Sequence, residues 1–201
     1  MSARETTAYE TVLKIGDRWK MRGGKPGEAE VMEGADEVGK QTYLLGQQLF
    51  TAEMWKECQR PLRAAAALLM HEPEIQGAAC HFLGCAYFHE NNKIQCGRNQ
   101  KLMLFAAGAF QSAAAARLAL DPSGPRRVQG VKDATGSLLF LGKVLMDMDN
   151  YRDSERVHLQ ALEISRDVLG DKAEETQQCL QAMMGLRSKM RAMQGAIGSA
   201  R

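Results

Sequence analysis

Apolar positions recur at three- and four-residue intervals along most of this chain, and strict alternation never sets in. The first pattern puts one side of a helix in a core, whereas alternation would have signalled strands. Tyr9, Val12, Leu13, Ile15 and Trp19 give residues 5–21 an apolar side. Arg22-Gly23-Gly24-Lys25-Pro26-Gly27 then breaks the pattern, because proline lacks an amide hydrogen and glycine is costly to order. Helices are predicted next over about 28–51, 54–70 and 73–89, with Pro61 kinking the second and Pro73 in the first turn of the third. After a loop marked by Asn91, Asn92 and Gly97, the pattern resumes over about 99–120 and stops at Asp121-Pro122-Ser123-Gly124-Pro125. Stretches of about 128–148, 151–169 and 172–194 bring the prediction to about eight helices and no sheet. Short connections between them favour antiparallel neighbours.

A longer period lies over this one. Leu44-Leu45-Gly46 returns as Phe82-Leu83-Gly84 and Phe140-Leu141-Gly142, and more weakly as Met183-Met184-Gly185, with glycines 38, 58 and 43 residues apart. A glycine inside a helix costs about 1 kcal/mol relative to alanine. Its recurrence in one setting calls for a packing reason, and close approach of a second helix supplies one. Recurrence at such intervals marks stacked helical units. The runs Ala64–Ala67 and Ala113–Ala116 offer thin faces for the same kind of packing.

Composition narrows the function more than the fold. An apolar fraction of 45% and a charged fraction of 25% are ordinary for a globular protein. A net charge of +2 makes no electrostatic case for nucleic acid. No apolar run reaches the roughly 18 residues that a membrane span needs. The first twenty residues lack the apolar core of a secretory leader, and Glu5, Glu10 and Asp17 also argue against a mitochondrial one. Five cysteines without regular spacing point to a reducing compartment. A cytoplasmic location is the resulting expectation.

Leu45-Gly46, Leu49, Trp55, Cys58, Leu62 and Ala65 fall in an order that resembles the tetratricopeptide repeat family. Units of that family are helical pairs with a Leu-Gly step, an aromatic near the turn, then a small residue, a bulky residue and an alanine. Leu141-Gly142, Leu145, Tyr151, Ser154 and Ala161 resemble a second such unit, with His158 where a large apolar residue is usual. Tyr151-Arg152-Asp153-Ser154-Glu155, Ala161-Leu162-Glu163-Ile164 and Leu169-Gly170-Asp171 are similar to the longer repeats of kinesin light chains. Between these units, Leu83-Gly84 and Tyr87 begin a third, which then departs from the pattern through about ten extra residues over 91–100. The resemblance covers about 38–190.

The resemblance implies an all-α, short right-handed solenoid of antiparallel hairpins over 28–195. An N-terminal helix and glycine-rich linker (1–27) would precede it, and a flexible tail (196–201) would follow. Gly46, Trp55, Ala65, Gly84, Gly142, Tyr151 and Ala161 would be packing positions. First helices of the units would line a concave groove through Tyr43, Gln47 and Phe50, then His81, Cys85 and Phe88, then Leu139, Lys143 and Met146. This surface lacks the asparagine and basic clamp of the chaperone-binding members, and its apolar character suits a helical or extended segment. That segment would belong to another protein, with the chain's own 5–21 stretch as the other occupant. The implied function is a non-catalytic adaptor in a larger cytoskeletal, ciliary or transport assembly, without cofactor.

Chemistry offers one rival. His81, Cys85 and His89 share a helical face at one-turn spacing, the arrangement by which two such side chains ligate a metal ion. Outer members of the trio are separated by roughly 12 Å along a helix axis, too far for one ion. The glycine-rich loop over 23–27 lacks the Lys-Ser/Thr order of a phosphate cradle. Arg187, Lys189 and Arg191 beside Met183, Met184 and Met190 read as a solvated cap, with an acidic partner as the alternative.

Overall fold

The structure, a computed structural model, describes residues 28–94, 99–120 and 124–199. Those residues form seven helices and no strand: α1 (Glu28–Thr51), α2 (Gln59–Leu68), α3 (Pro73–Lys93), α4 (Gln100–Leu118), α5 (Arg127–Asp147), α6 (Tyr151–Leu169) and α7 (Glu174–Ser199). The helix expected over 5–21 lies outside the described residues. No described helix is long and apolar enough to cross a membrane.

Local chemistry sets the boundaries. Pro61 falls in the first turn of α2, where an amide hydrogen would have no partner, so it starts a helix instead of kinking one. That helix is correspondingly shorter than the predicted 54–70, and Trp55 lies in the turn before it. The side chain of Asn99 caps α4 by accepting from Lys101 N and Leu102 N at 3.1 and 3.3 Å. Its own amide donates to the buried Asn91 Oδ1 at 2.8 Å, tying the end of α3 to the start of α4. Asn150 caps α6 in the same manner through Asp153 N. Nothing like the proline cluster after α4 follows residue 194, and α7 continues to Ser199, into the stretch assigned to a tail.

Each helix packs on the next in sequence. The odd-numbered helices also touch across one, α1 with α3, α3 with α5 and α5 with α7. No comparable contact joins α2 to α4 or α4 to α6.

Three of the recurring glycines receive a side chain from the following helix. A Cβ at Gly46 would lie 2.7 Å from Leu62 Cδ2, and one at Gly84 would lie 2.8 Å from Phe110 Cε1. At Gly142 it would collide with the His158 ring. The fourth, Gly185, meets nothing within 4 Å, because no described helix follows α7 to fill it. Each incoming side chain has a small residue four positions before it and an alanine three positions after it. The sets are Cys58, Leu62, Ala65; Ala106, Phe110, Ala113; and Ser154, His158, Ala161. His158 is 3% exposed and the other eight are fully buried.

The middle hairpin therefore keeps the register of the other two. Its extra residues fall between Gly84 and Phe110, with Asn91–Lys93 inside α3 and Gln100 inside α4, and that insertion hides Ala106, Phe110 and Ala113 from a reading at fixed intervals. His158 is likewise no departure in space. Its ring fills the Gly142 position, Nδ1 meets Ser154 O at 2.8 Å, and Ser154 Oγ donates to Gly142 O at 2.8 Å.

Opposite signs are expected for two alanine substitutions in urea denaturation. Gly84→Ala should destabilise by about 1–3 kcal/mol through overpacking against Phe110. Gly185→Ala should stabilise by about 0.5–1 kcal/mol, because only helix propensity changes there. Equal effects at the two sites would contradict the packing account.

Candidate interaction face

The surface of α1, α3 and α5 follows from the same registry. With the glycines turned toward α2, α4 and α6, the residues that open each tripeptide, Leu44, Phe82 and Phe140, fall outside the hairpin seams. Leu44 is 52% exposed and Phe140 38% exposed, with Phe82 half-buried between them. Three of the predicted groove positions contact these rings, Tyr43 and Phe50 at Phe82 and His81 at both Phe82 and Phe140.

Aromatic contacts run continuously from α1 to α5. Tyr43 lies 6.3 Å from Phe82 between ring centroids, and Phe82 lies 5.0 Å edge-on from Phe50. His81 sits beside Phe82 at 6.3 Å, Phe110 at 5.4 Å and Phe140 at 5.5 Å. One margin is closed by Trp55, 4.8 Å edge-on from Phe50 and stacked on His89 at 4.5 Å. Lys143 Nζ lies 5.1 Å over the Phe88 ring. Edge-on and offset rings of this kind are favourable beyond their buried area.

The predicted positions divide by depth. Tyr43, Gln47, Phe50, His81, Leu139 and Met146 are half-buried, and Lys143 is exposed. Cys85 and Phe88 are buried, so they form the floor beneath this surface and touch nothing arriving from solvent. Among the packing positions, Gly46, Ala65, Gly84, Gly142 and Ala161 are buried, while Trp55 and Tyr151 are half-buried. Phe82 and Phe140 were not among the predicted contacts. Their shared place two residues before a recurring glycine was the signal for them.

A polar cluster lies under the rings, and its key member, Arg117, carries no motif. Its side chain crosses α3 at Gly77, where a Cβ would stand 2.7 Å from Arg117 Cγ. Arg117 Nη1 donates to Asp133 O at 2.8 Å and to Ser137 Oγ. Ser137 Oγ in turn donates to Asp133 O at 3.1 Å, so its proton is committed. His81 Nδ1, 3.1 Å from that oxygen, must then carry a hydrogen and donate it. Nε2 is left as an acceptor, with Cys85 Sγ at 3.7 Å supplying a weak S–H donor.

Burial, assisted by the Arg117 charge, lowers the His81 pKa from 6.5 to about 4. Burial pushes the Cys85 thiol up to about 11, against the pull of Arg117. An imidazole held neutral beside a thiol held protonated is the reverse of an activated cysteine–histidine pair. His89 stacks on Trp55 instead of joining His81 and Cys85, so the trio does not converge on one point.

Stability should fall with pH between about 6.5 and 4. Above that window His81 is neutral in both states. Within it the unfolded chain binds a proton that the folded chain refuses, and below about 4 the loss levels off. The loss is on the order of 2–3 kcal/mol; burial lowers His89 and His158 in the same direction. Urea titrations at pH 7.5 and 4.5 should show this difference shrinking in His81→Gln, and an unchanged difference would contradict the assignment. Searched against known proteins, the chain matches no family model, and no curated protein matches its sequence.

Proposed function

We propose that the protein is a non-catalytic interaction scaffold, a short right-handed solenoid of tetratricopeptide-like hairpins. It holds an apolar helical or extended segment of a partner across α1, α3 and α5. The run of rings from Tyr43 through Phe82 and His81 to Phe140 carries this reading. It crosses three helices that touch one another, and it leaves apolar surface open at Leu44 and Phe140. Surface of this kind suits a partner's apolar anchors better than it suits a reaction. Lys143, exposed over Phe88, adds one cation at the margin for an acidic flank of the bound segment. A subunit of a larger cytoplasmic assembly, of cytoskeletal, ciliary or transport type, is the setting that fits such a scaffold.

Variants on opposite sides of the molecule test the reading. Leu139→Asp combined with Phe140→Ser should reduce co-purifying partners of the tagged chain by about tenfold or more, a loss of at least 1.4 kcal/mol. Leu104→Ser, an exposed position on α4, should leave the same partners in place. Quantitative mass spectrometry reads both, with circular dichroism confirming that each variant is helical. Retention of every partner by the double variant would overturn the proposal.

A further inference from the structure

We infer that the outward faces of α4 and α6 form an interface with a second copy of this chain, paired about a two-fold axis with the facing helices antiparallel. The ring face, on α1, α3 and α5, is left free.

The order of charge on α6 is the first reason. Its exposed stripe reads Arg152, Arg156, Leu159, Glu163 and Asp167, basic in the first half and acidic in the second. Leu159, 39% exposed, stands between the two halves. A helix dipole favours acids in the first turn and bases in the last. Asp153 and Arg166 have that sense, whereas Arg152 and Asp167 have the opposite one, so the helix itself does not account for them. Arg152, Glu163 and Asp167 form no ion pair among the described residues, and Arg156 lies 3.1 Å from Asp153 in a pair exposed enough to contribute little. Turned end for end, the stripe is its own complement. An antiparallel copy sets Arg152 opposite Asp167 and Arg156 opposite Glu163, each pairing made twice by symmetry, with the axis between Leu159 and Gln160.

The surface of α4 fits the same axis. Phe110 and His158 hold equivalent places in their hairpins, each against the seam glycine of the preceding helix, so the axis falls between Gln111 and Ser112. Leu104, 55% exposed, then lies opposite Ala119. Gly108, where a Cβ would meet nothing within 4 Å, lies opposite the exposed Ala115. Large meets small, and the glycine lets the two backbones approach. No charged residue stands from Leu102 through Ala116, so nothing on this face repels its own image. An apolar centre on α4 and a charged margin on α6 make the layout of a protein interface, in which burial gives affinity and charge gives register. A different protein would have to reproduce both the charge order and the large-to-small spacing, which a second copy brings by symmetry.

Sedimentation velocity of the full chain tests the contact. It should show a monomer–dimer equilibrium that shifts toward monomer as salt rises. Arg152→Asp with Arg156→Glu makes the stripe wholly acidic, and Glu163→Lys with Asp167→Lys makes it wholly basic. Each of these two variants alone should dimerise about tenfold or more weakly than the parent chain. Mixing them should restore a dimer with one copy of each. Leu104→Ser should also weaken dimerisation while the ring face keeps its partners, so failure here and failure of the proposed function are read separately. Circular dichroism confirms that each variant is helical. A monomer at every concentration, self-association unchanged by either charge variant, or a mixture that stays monomeric would each overturn the inference.

Discussion

In each of three hairpins a side chain of the second helix occupies the space that a missing Cβ leaves on the first, and this contact sets how closely the paired helices lie. Leu62, Phe110 and His158 differ in shape and polarity, yet each is buried against Gly46, Gly84 or Gly142. The cost on the first helix is about 1 kcal/mol of lost helix propensity. Full burial of a leucine or phenylalanine returns about 1.5–3 kcal/mol, so the exchange is favourable wherever the incoming side chain is large and dry. A small residue one turn earlier and an alanine one turn later keep the second helix equally thin on either side. Interiors are packed too densely for the helices to separate by half an ångström without leaving a void.

The outer chemistry depends on that seam. Once glycine faces the partner helix, the residue two positions earlier is turned out of the seam, and Leu44, Phe82 and Phe140 each keep part of their surface open on α1, α3 and α5. Two independent periods thus produce one surface. The 3.6-residue period chooses the face, and the repeat places the same face three times. A middle hairpin with a different register on α4 would have lost the contacts of buried Phe110 with His81 and Phe140.

The seven described helices, the packing of each on the next and three of the four glycine contacts were legible in the sequence, because each rests on spacing within a few residues. Pro61 was misread as a kink since its meaning depends on where α2 begins, and that is decided by the turn around Trp55. Ala106, Phe110 and Ala113 were hidden by an insertion that changes interval but leaves geometry alone. Burial of Cys85 and Phe88 could not be read from helical phase, because α3 is wrapped by α1, α2, α4 and α5 and has no broad polar side. Arg117 gave no local sign at all. Its partners, Asp133 and Ser137, lie on the next helix, and its passage past Gly77 is a fact of three dimensions.

The polar cluster around Arg117 explains why the middle of the stack has one arrangement when apolar packing alone would allow several. Burying a guanidinium beside an imidazole is unfavourable as electrostatics, and burial lowers the pKa of both groups. What the cluster supplies is direction. Arg117 on α4 bonds to Asp133 and Ser137 on α5, and His81 on α3 bonds to the same Ser137 oxygen. A slip of α5 by one turn would strand a buried cation and an imidazole N–H together, a loss larger than that of any single apolar contact. Leu and Phe in glycine-lined seams hold the helices close, and the hydrogen bonds converging on Ser137 hold them in register. The exposed rings inherit their alignment from both.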